Sequence, residues 1–376
     1  MTKEENKKYA LLVIELAACV LNGRTPDRAK LAGADMDLLY EAARRRNMTA
    51  IVSYALKSAG MEDERFRQEE GKAIAKNIML DQERERLFAF MEENGIWHMP
   101  LKGAVLKELY PVPGMRQMTD NDILIDPNAR KKVYDYFISE GYEVYKYGES
   151  VHDAYHKKPV LNFEIHIALF SGYQPELYDY YRDVQPRLIK DDERQYLYHF
   201  SPEDFYLYIT AHEYKHYTVN GIGIRPLMDS YVYLKEYGSQ LDMDYIAAEA
   251  QKLGLSDFEH SNRDLALALF DQKPLSSEQE KMLERFIDAG SFGSPELLVK
   301  HNLAGKGGGV KGKLIYIRER LIPPDAVMEK EYPTVYKHKI LLPGFAVYRF
   351  GRMIHLFFSE RERLTREIKA LVRSKQ

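Results

Sequence analysis

Three acidic residues and a lysine-glycine turn are the groups in this 376-residue chain whose types and spacing suggest chemistry. Asp120 and Asp122 stand two apart in TDNDILID, and Glu164 lies between Phe163 and Ile165 in NFEIHIAL. Strand side chains alternate between faces, so acids at i and i+2 share a face, about 7 Å apart along the backbone. Two such carboxylates repel each other, and one tends to keep its proton. Mg²⁺ removes that conflict, because it prefers oxygen ligands and commonly takes one or two carboxylates. A glutamate inside an apolar strand is costly unless paired or metal-bound. Glu164 is therefore expected to complete the site, hold a second ion and take the proton of an attacking hydroxyl. Upstream, Lys102 and Gly103 form a turn that opens a helix. Glycine allows close backbone approach, the helix start attracts anions, and lysine adds a point charge. Arg116 is expected to brace a triphosphate oxygen. Carboxylates converging beside a phosphate-holding turn suit nucleotidyl transfer.

The elements that must position these residues are legible in outline. Residues 1–83 read as a helical region, with Leu38, Leu39, Ala42 and Ala43 near a 3.6-residue period. A long helix is expected from roughly 70 to 93, stopped by Asn94-Gly95. Residues 84–195 read as an α/β unit: IWHMPL, DNDILID, EVYKYG, HDAYHKK and LNFEIHIALF as strands, AVLKELY and RKKVYDYFISEG as helices. Residues 196–300 return to a helical pattern, with Ser201 and Asp204 in a capping-box-like start. Residues 301–376 read as a basic tail with a flexible break at AGKGGGVKGK and a final helix over roughly 344–374.

Composition excludes little. One cysteine, Cys19, rules out an intramolecular disulfide and a cysteine-rich zinc site, and suits a reducing cytoplasm. No apolar run is long enough for a membrane-spanning helix. Net charge is −3, unevenly spread: from Lys300 onward 17 Lys and Arg face 7 Asp and Glu. The tail is thus the part expected to meet a polyanion or a membrane surface, unless its charges form only a solvated helix face.

The run KGAVLKELYPVPGMRQMTDNDILID resembles the signature of the uncharacterised nucleotidyltransferase family of the polymerase-β-like superfamily. Lys102, Gly103, Leu106, Tyr110, Pro111, Arg116, Asp120, Asp122, Glu164 and His166 occupy its motif positions. The opening of the motif is also similar to nucleotidyltransferase toxins of the AbiEii type. The chain departs from the wider superfamily in having Lys-Gly where Gly-Ser is usual, and Glu where many relatives carry a third Asp. The resemblance implies a polymerase-β-like α/β (α+β) core with a mixed sheet, flanked by helical regions. It implies transfer of NMP from an NTP to an acceptor, with release of pyrophosphate. Mg²⁺ or Mn²⁺, two ions, would sit on Asp120, Asp122 and Glu164, with Lys102, Gly103, Arg116 and His166 at the nucleotide. A small molecule, a protein and an RNA all stay open as acceptor.

A second motif competes. His212-Glu213-Tyr214-Lys215-His216 fits H-E-x-x-H, which on a helix presents two imidazoles on one face as in zinc peptidases. No third ligand follows at a familiar spacing, so the favoured reading is substrate contact by His212, Lys215 and His216, with Arg225 and Asp229 from the next helix. A non-catalytic nucleotide- or partner-binding module is the remaining alternative.

Overall fold

The computed structural model describes residues 1–219, 221–290, 293, 299, 303 and 309–359, with side chains through 354. Five helices precede the sheet: α1 (Lys3–Leu21), α2 (Arg28–Ala32), α3 (Met36–Arg44), α4 (Thr49–Ser58) and α5 (Glu64–Glu93). Five short strands follow: β1 (His98–Pro100), β2 (Asn121–Ile125), β3 (Glu143–Lys146), β4 (His152–Lys157) and β5 (Leu161–His166). Between them lie α6 (Gly103–Leu106) and α7 (Arg130–Ser139). After the sheet come α8 (Pro175–Tyr181), α9 (Pro202–Val219), α10 (Ile224–Tyr237), α11 (Met243–Lys252), α12 (Ser256–Phe270) and α13 (Ser277–Ala289).

The sheet is mixed, in the order β1-β2-β5-β4-β3. β2 and β5 run parallel at its centre, and every other neighbouring pair is antiparallel. A parallel pair needs a crossover; here α7 and the β3-β4 hairpin supply it. Alternation along β2 and β5 sends Ile123, Ile125, Phe163 and Ile165 to one face. There they pack with Leu80, Leu87, Phe88 and Met91 of α5 and Val133 and Phe137 of α7. Phe137 also stacks on Tyr155 of β4, with ring centroids 4.1 Å apart; truncating it to alanine should cost about 3–5 kcal/mol. The same alternation gives Asp122, Leu124, Glu164 and His166 to the opposite face. Leu124 continues there into an apolar cluster with Tyr206, Leu207 and Tyr208 of α9. The polar members of that face line a cleft between the sheet and α9.

Helix α5 begins at Glu64, earlier than the apolar periodicity suggests, because the Asp63 carboxylate caps it by accepting from the Arg65 N–H. Its first half buries Phe66 among α1–α4, while its second half covers the sheet. Residues expected in two separate helical regions, 1–83 and 196–300, meet in one apolar cluster: Leu39, Ile51 and Leu56 pack with Leu227, Leu265 and Phe286.

In the tail, Gly309–Lys313 was expected to be part of a flexible break but opens the helix Gly309–Leu321, with Gly312 and Tyr316 buried. The last described helix is Leu342–Ser359; the rest of the helix expected over 344–374, and residues 304–308 of the break, lie outside the described residues. Two of the tail's arginines turn back onto the protein. Arg349 donates to the Arg320 carbonyl and to the hydroxyls of Tyr173 and Tyr332, and Arg352 pairs with Glu149. No described helix is long and apolar enough to cross a membrane.

Candidate active site

The turn that follows β1 is strained at one residue. Lys102 has φ +44°, a conformation a non-glycine residue adopts at a cost of about 1–3 kcal/mol. Hydrogen bonds hold it there: the Leu101 N–H donates to the Asp122 carbonyl (2.9 Å), and the Lys102 carbonyl accepts from Leu106 N–H (2.9 Å). The strained backbone lets the side chain fold back over the sheet, where Nζ lies 2.7 Å from Asp122 Oδ1. Gly103 is a packing requirement. A Cβ there would lie 2.5 Å from Arg116 Nη1 and 3.0 Å from Met118 Sδ. The helix expected over AVLKELY is a single α turn that tightens into a 3₁₀ turn at Lys107–Leu109. Tyr110 must be extended before Pro111, and it is, at ψ 142°. So short a helix has little dipole, and the positive charge of the turn is that of the Lys102 side chain.

The register brings the acids together. Asp122 is the direct β-ladder partner of Glu164 on the neighbouring parallel strand. Asp120 lies two residues earlier, at the mouth of β2 and one residue before the ladder begins. His166 Nε2 is 2.9 Å from Asp122 Oδ1 and 3.7 Å from Glu164 Oε2, so those two oxygens are no further apart than the sum of those distances. An ionised Asp122 only accepts hydrogen bonds, so Nε2 is the donor of this contact, and the buried Nδ1 has no partner among the described residues. His152, which was not picked out from sequence, stands across the ladder from His166 with ring centroids 5.1 Å apart. Its Nε2 is 3.8 Å from Glu164 Oε2. The hairpin numbering could have found it: a turn at Lys158-Pro159 pairs Lys157 with Leu161, and counting outward along both strands pairs 152 with 166.

The electrostatics follow from crowding. Asp120 is pushed up to about 7 by burial and by the charges of Asp122 and Glu164. Burial also opposes ionisation of Asp122, but Lys102 and the hydrogen bond from His166 outweigh it and hold the carboxyl well below its usual range. Glu164 is likewise held low against burial, mainly by the His166 hydrogen bond. Burial lowers His152 to about 4 despite Glu164 beside it, so this imidazole is neutral. The donor set therefore carries more negative charge than its cations balance, and it is rich in oxygen ligands. That fits a divalent cation.

Arg116 and Asp229 are found together, away from free solvent. The guanidinium donates to Asp229 through Nε (2.7 Å) and Nη2 (2.8 Å), and the Tyr110 hydroxyl donates to the same carboxylate (2.7 Å). This bidentate pair ties the motif turn to α10 beneath Gly103. Tyr110, a motif position with no role readable from sequence, acquires one. Arg225 lines the cleft and donates to the Gln117 carbonyl at 3.0 Å.

The HEYKH helix forms the opposite wall. His212 and His216 lie with ring centroids 4.6 Å apart. Burial and neighbouring cations, Lys102 first, keep His212 neutral. The same causes lower Lys215 to about 8. Glu213 turns into the helix packing, where Oε2 accepts from Asn262 Nδ2 (2.9 Å) and Ser230 Oγ (3.2 Å). Burial pushes it up to about 8, so at neutral pH it is a protonated acid and not the base a zinc peptidase needs. Among the described residues, the cluster of histidines and acids with ligand atoms close enough for one metal is His152, Glu164 and His166; His212 and His216 are not in it. The cleft between the walls has a volume of about 640 Å³, inside the roughly 300–1,000 Å³ typical of small-ligand sites.

A mixed sheet with two central acidic strands faces, across a cleft of this size, a helix that presents His212, Lys215 and His216, an arrangement suited to a nucleotidyltransferase. The chain belongs to the family described as uncharacterised nucleotidyltransferase, which matches residues 32–271. That match spans the whole cleft: the turn, both acidic strands, α9 and α10. No curated protein and no solved structure matches, so the likeness to AbiEii-type toxins gains nothing from these comparisons.

Proposed function

We propose that the chain transfers a nucleoside monophosphate from an NTP to an acceptor hydroxyl, releasing pyrophosphate, and that it does so with Mg²⁺ in the cytoplasm. The observation that carries this reading is the register pairing of Asp122 with Glu164, with Asp120 at the strand mouth, on one wall of the cleft. Mg²⁺ held by Asp120, Asp122 and Glu164 would neutralise the acids and polarise the α-phosphoryl group. Lys102, Lys215 and Arg225 face the triphosphate. Arg116 keeps the Lys102-Gly103 turn in place through Asp229. His166 fixes the orientation of Asp122. In the transfer the acceptor oxygen bonds to the α-phosphorus as the bond to the bridging oxygen breaks. Pyrophosphate leaves, and the hydroxyl proton passes to Glu164, which holds none at neutral pH. The contribution of these residues is positioning and charge, which dominate phosphoryl chemistry. His212 and His216 line the side from which the acceptor approaches.

The test is to incubate the full chain with Mg²⁺, a cell extract and each NTP labelled in turn at the α- and γ-phosphate. The α-label should stay on an acceptor fraction and the γ-label should leave in pyrophosphate. Transfer of the γ-label to the acceptor instead would make the protein a kinase and end this reading.

A further inference from the structure

We propose that His152, Glu164 and His166 form a nitrogen-rich metal site that takes a first-row transition-metal dication in preference to Mg²⁺. This rests on the transferase reading for what the ion would do, but not for its binding. Glu164 would then bridge ions of two kinds: Mg²⁺ shared with Asp120 and Asp122, and a softer ion shared with His152 and His166.

The geometry is specific. Glu164 Oε2 lies 3.8 Å from His152 Nε2 and 3.7 Å from His166 Nε2. One ligand atom from each residue lies within 4.8 Å of the others. A small inward shift, with the Nε2 proton of His166 moving to its unpartnered Nδ1, closes that spread onto bonds of about 2.0–2.2 Å to one ion. The three side chains are held by two adjacent strands, in which His152 and His166 are cross-strand partners and Glu164 shares the face of His166. Rigid strands position ligands more tightly than loops do. Asp122 Oδ1, 2.9 Å from His166 Nε2, is the oxygen that connects this site to the aspartate pair.

The donor chemistry sets the preference. Two imidazoles and one carboxylate suit iron, cobalt or zinc dications, whereas Mg²⁺ demands oxygen ligands and gives up its waters reluctantly. His152 discriminates most clearly between a pure carboxylate centre and this one. It adds a nitrogen where oxygen-only Mg²⁺ coordination has no use for it.

Co²⁺ is the probe, titrated without nucleotide into the chelator-treated full chain in the presence of excess Mg²⁺. One Co²⁺ per chain should bind and give visible d–d absorption. Affinity should fall at least tenfold in His152→Ala and stay near wild type in His212→Ala. Asp120→Asn, expected to abolish transfer, should keep the cobalt bands, so loss of transfer and loss of this site are read separately. Wild-type protein provides the check that needs no variant: two paramagnetically shifted imidazole N–H resonances should appear in its proton NMR spectrum. Displacement of Co²⁺ by equimolar Mg²⁺, unchanged binding in His152→Ala, or absence of shifted imidazole protons would each overturn the proposal.

Discussion

On the central strands, Asp122 and Glu164 are ladder partners, and His152 and His166 flank them on the same face. Across the cleft on α9, His212 and His216 lie side by side, while Glu213 points into a buried contact with Asn262 and Ser230. Both stretches look like metal motifs when read as strings. The difference lies in what a neighbouring element adds. A strand has a second strand about 4.8 Å away, so a correct register doubles its ligands on one face. A helix turn offers two groups on one face and must find its third ligand elsewhere. Here the charged or titratable groups that act on His212 are Lys102, His216, Lys215 and His166, none of them an acid. The sheet wall gathers negative charge and the helix wall gathers positive charge, which suits a metal-bound triphosphate between them.

The largest expected effect tests that asymmetry. Asp122→Asn should lower nucleotidyl transfer about 10³-fold or more in a labelled-NTP assay while far-UV circular dichroism stays unchanged. His212→Ala should lower it about tenfold at most, because a neutral imidazole on the far wall is one contact among several. Equal losses in the two variants would break the comparison.

Next in size is the brace beneath the turn. Arg116→Ala leaves the buried Asp229 carboxylate without its bidentate partner and should destabilise the fold by about 3–5 kcal/mol in chemical denaturation. The apolar pair Arg116→Met with Asp229→Leu should recover most of that loss, since replacing both charges leaves none unpaired. An unchanged denaturation midpoint in Arg116→Ala would mean that Arg116 serves only the substrate.

The acids also predict a pH dependence. Asp120, pushed up to about 7, is protonated below that pH and must lose the proton to bind an ion. Mg²⁺ affinity, followed by calorimetry, should therefore rise as pH increases through about 7 and level off above it, and Asp120→Asn should remove the step. Glu213 gives a pH effect on the opposite wall, read in stability and not in activity. Its folded value is about 8 against an ordinary 4.5, so the native state holds an extra proton between those values. Stability must fall as pH rises across that window, by at most about 1.4 kcal/mol per pH unit. Glu213→Gln should flatten this slope.

How much of this was legible depended on the range of the interaction. The strands around Asp122 and Glu164 could be read because their β-branched and apolar residues are local signals, and so could the turn at Gly103. The parallel pairing of β2 with β5 could not, since no local residue specifies which strands become neighbours. The partner of Arg116 lies 113 residues later, on α10. Sequence suggested a triphosphate contact, and only the packed turn shows where that guanidinium is held. His152 was missed because a histidine in a short strand carries no signal of its own until the hairpin register sets His166 opposite.

The measurement that bears most directly on the metal-binding role of the sheet acids is an anomalous-difference map from crystals of the protein soaked with Mn²⁺ and a non-hydrolysable NTP. A manganese peak is expected on the sheet wall among Asp120, Asp122 and Glu164, with the triphosphate running toward Lys102 and Arg225. A peak between His212 and His216, with none at the acids, would contradict that role.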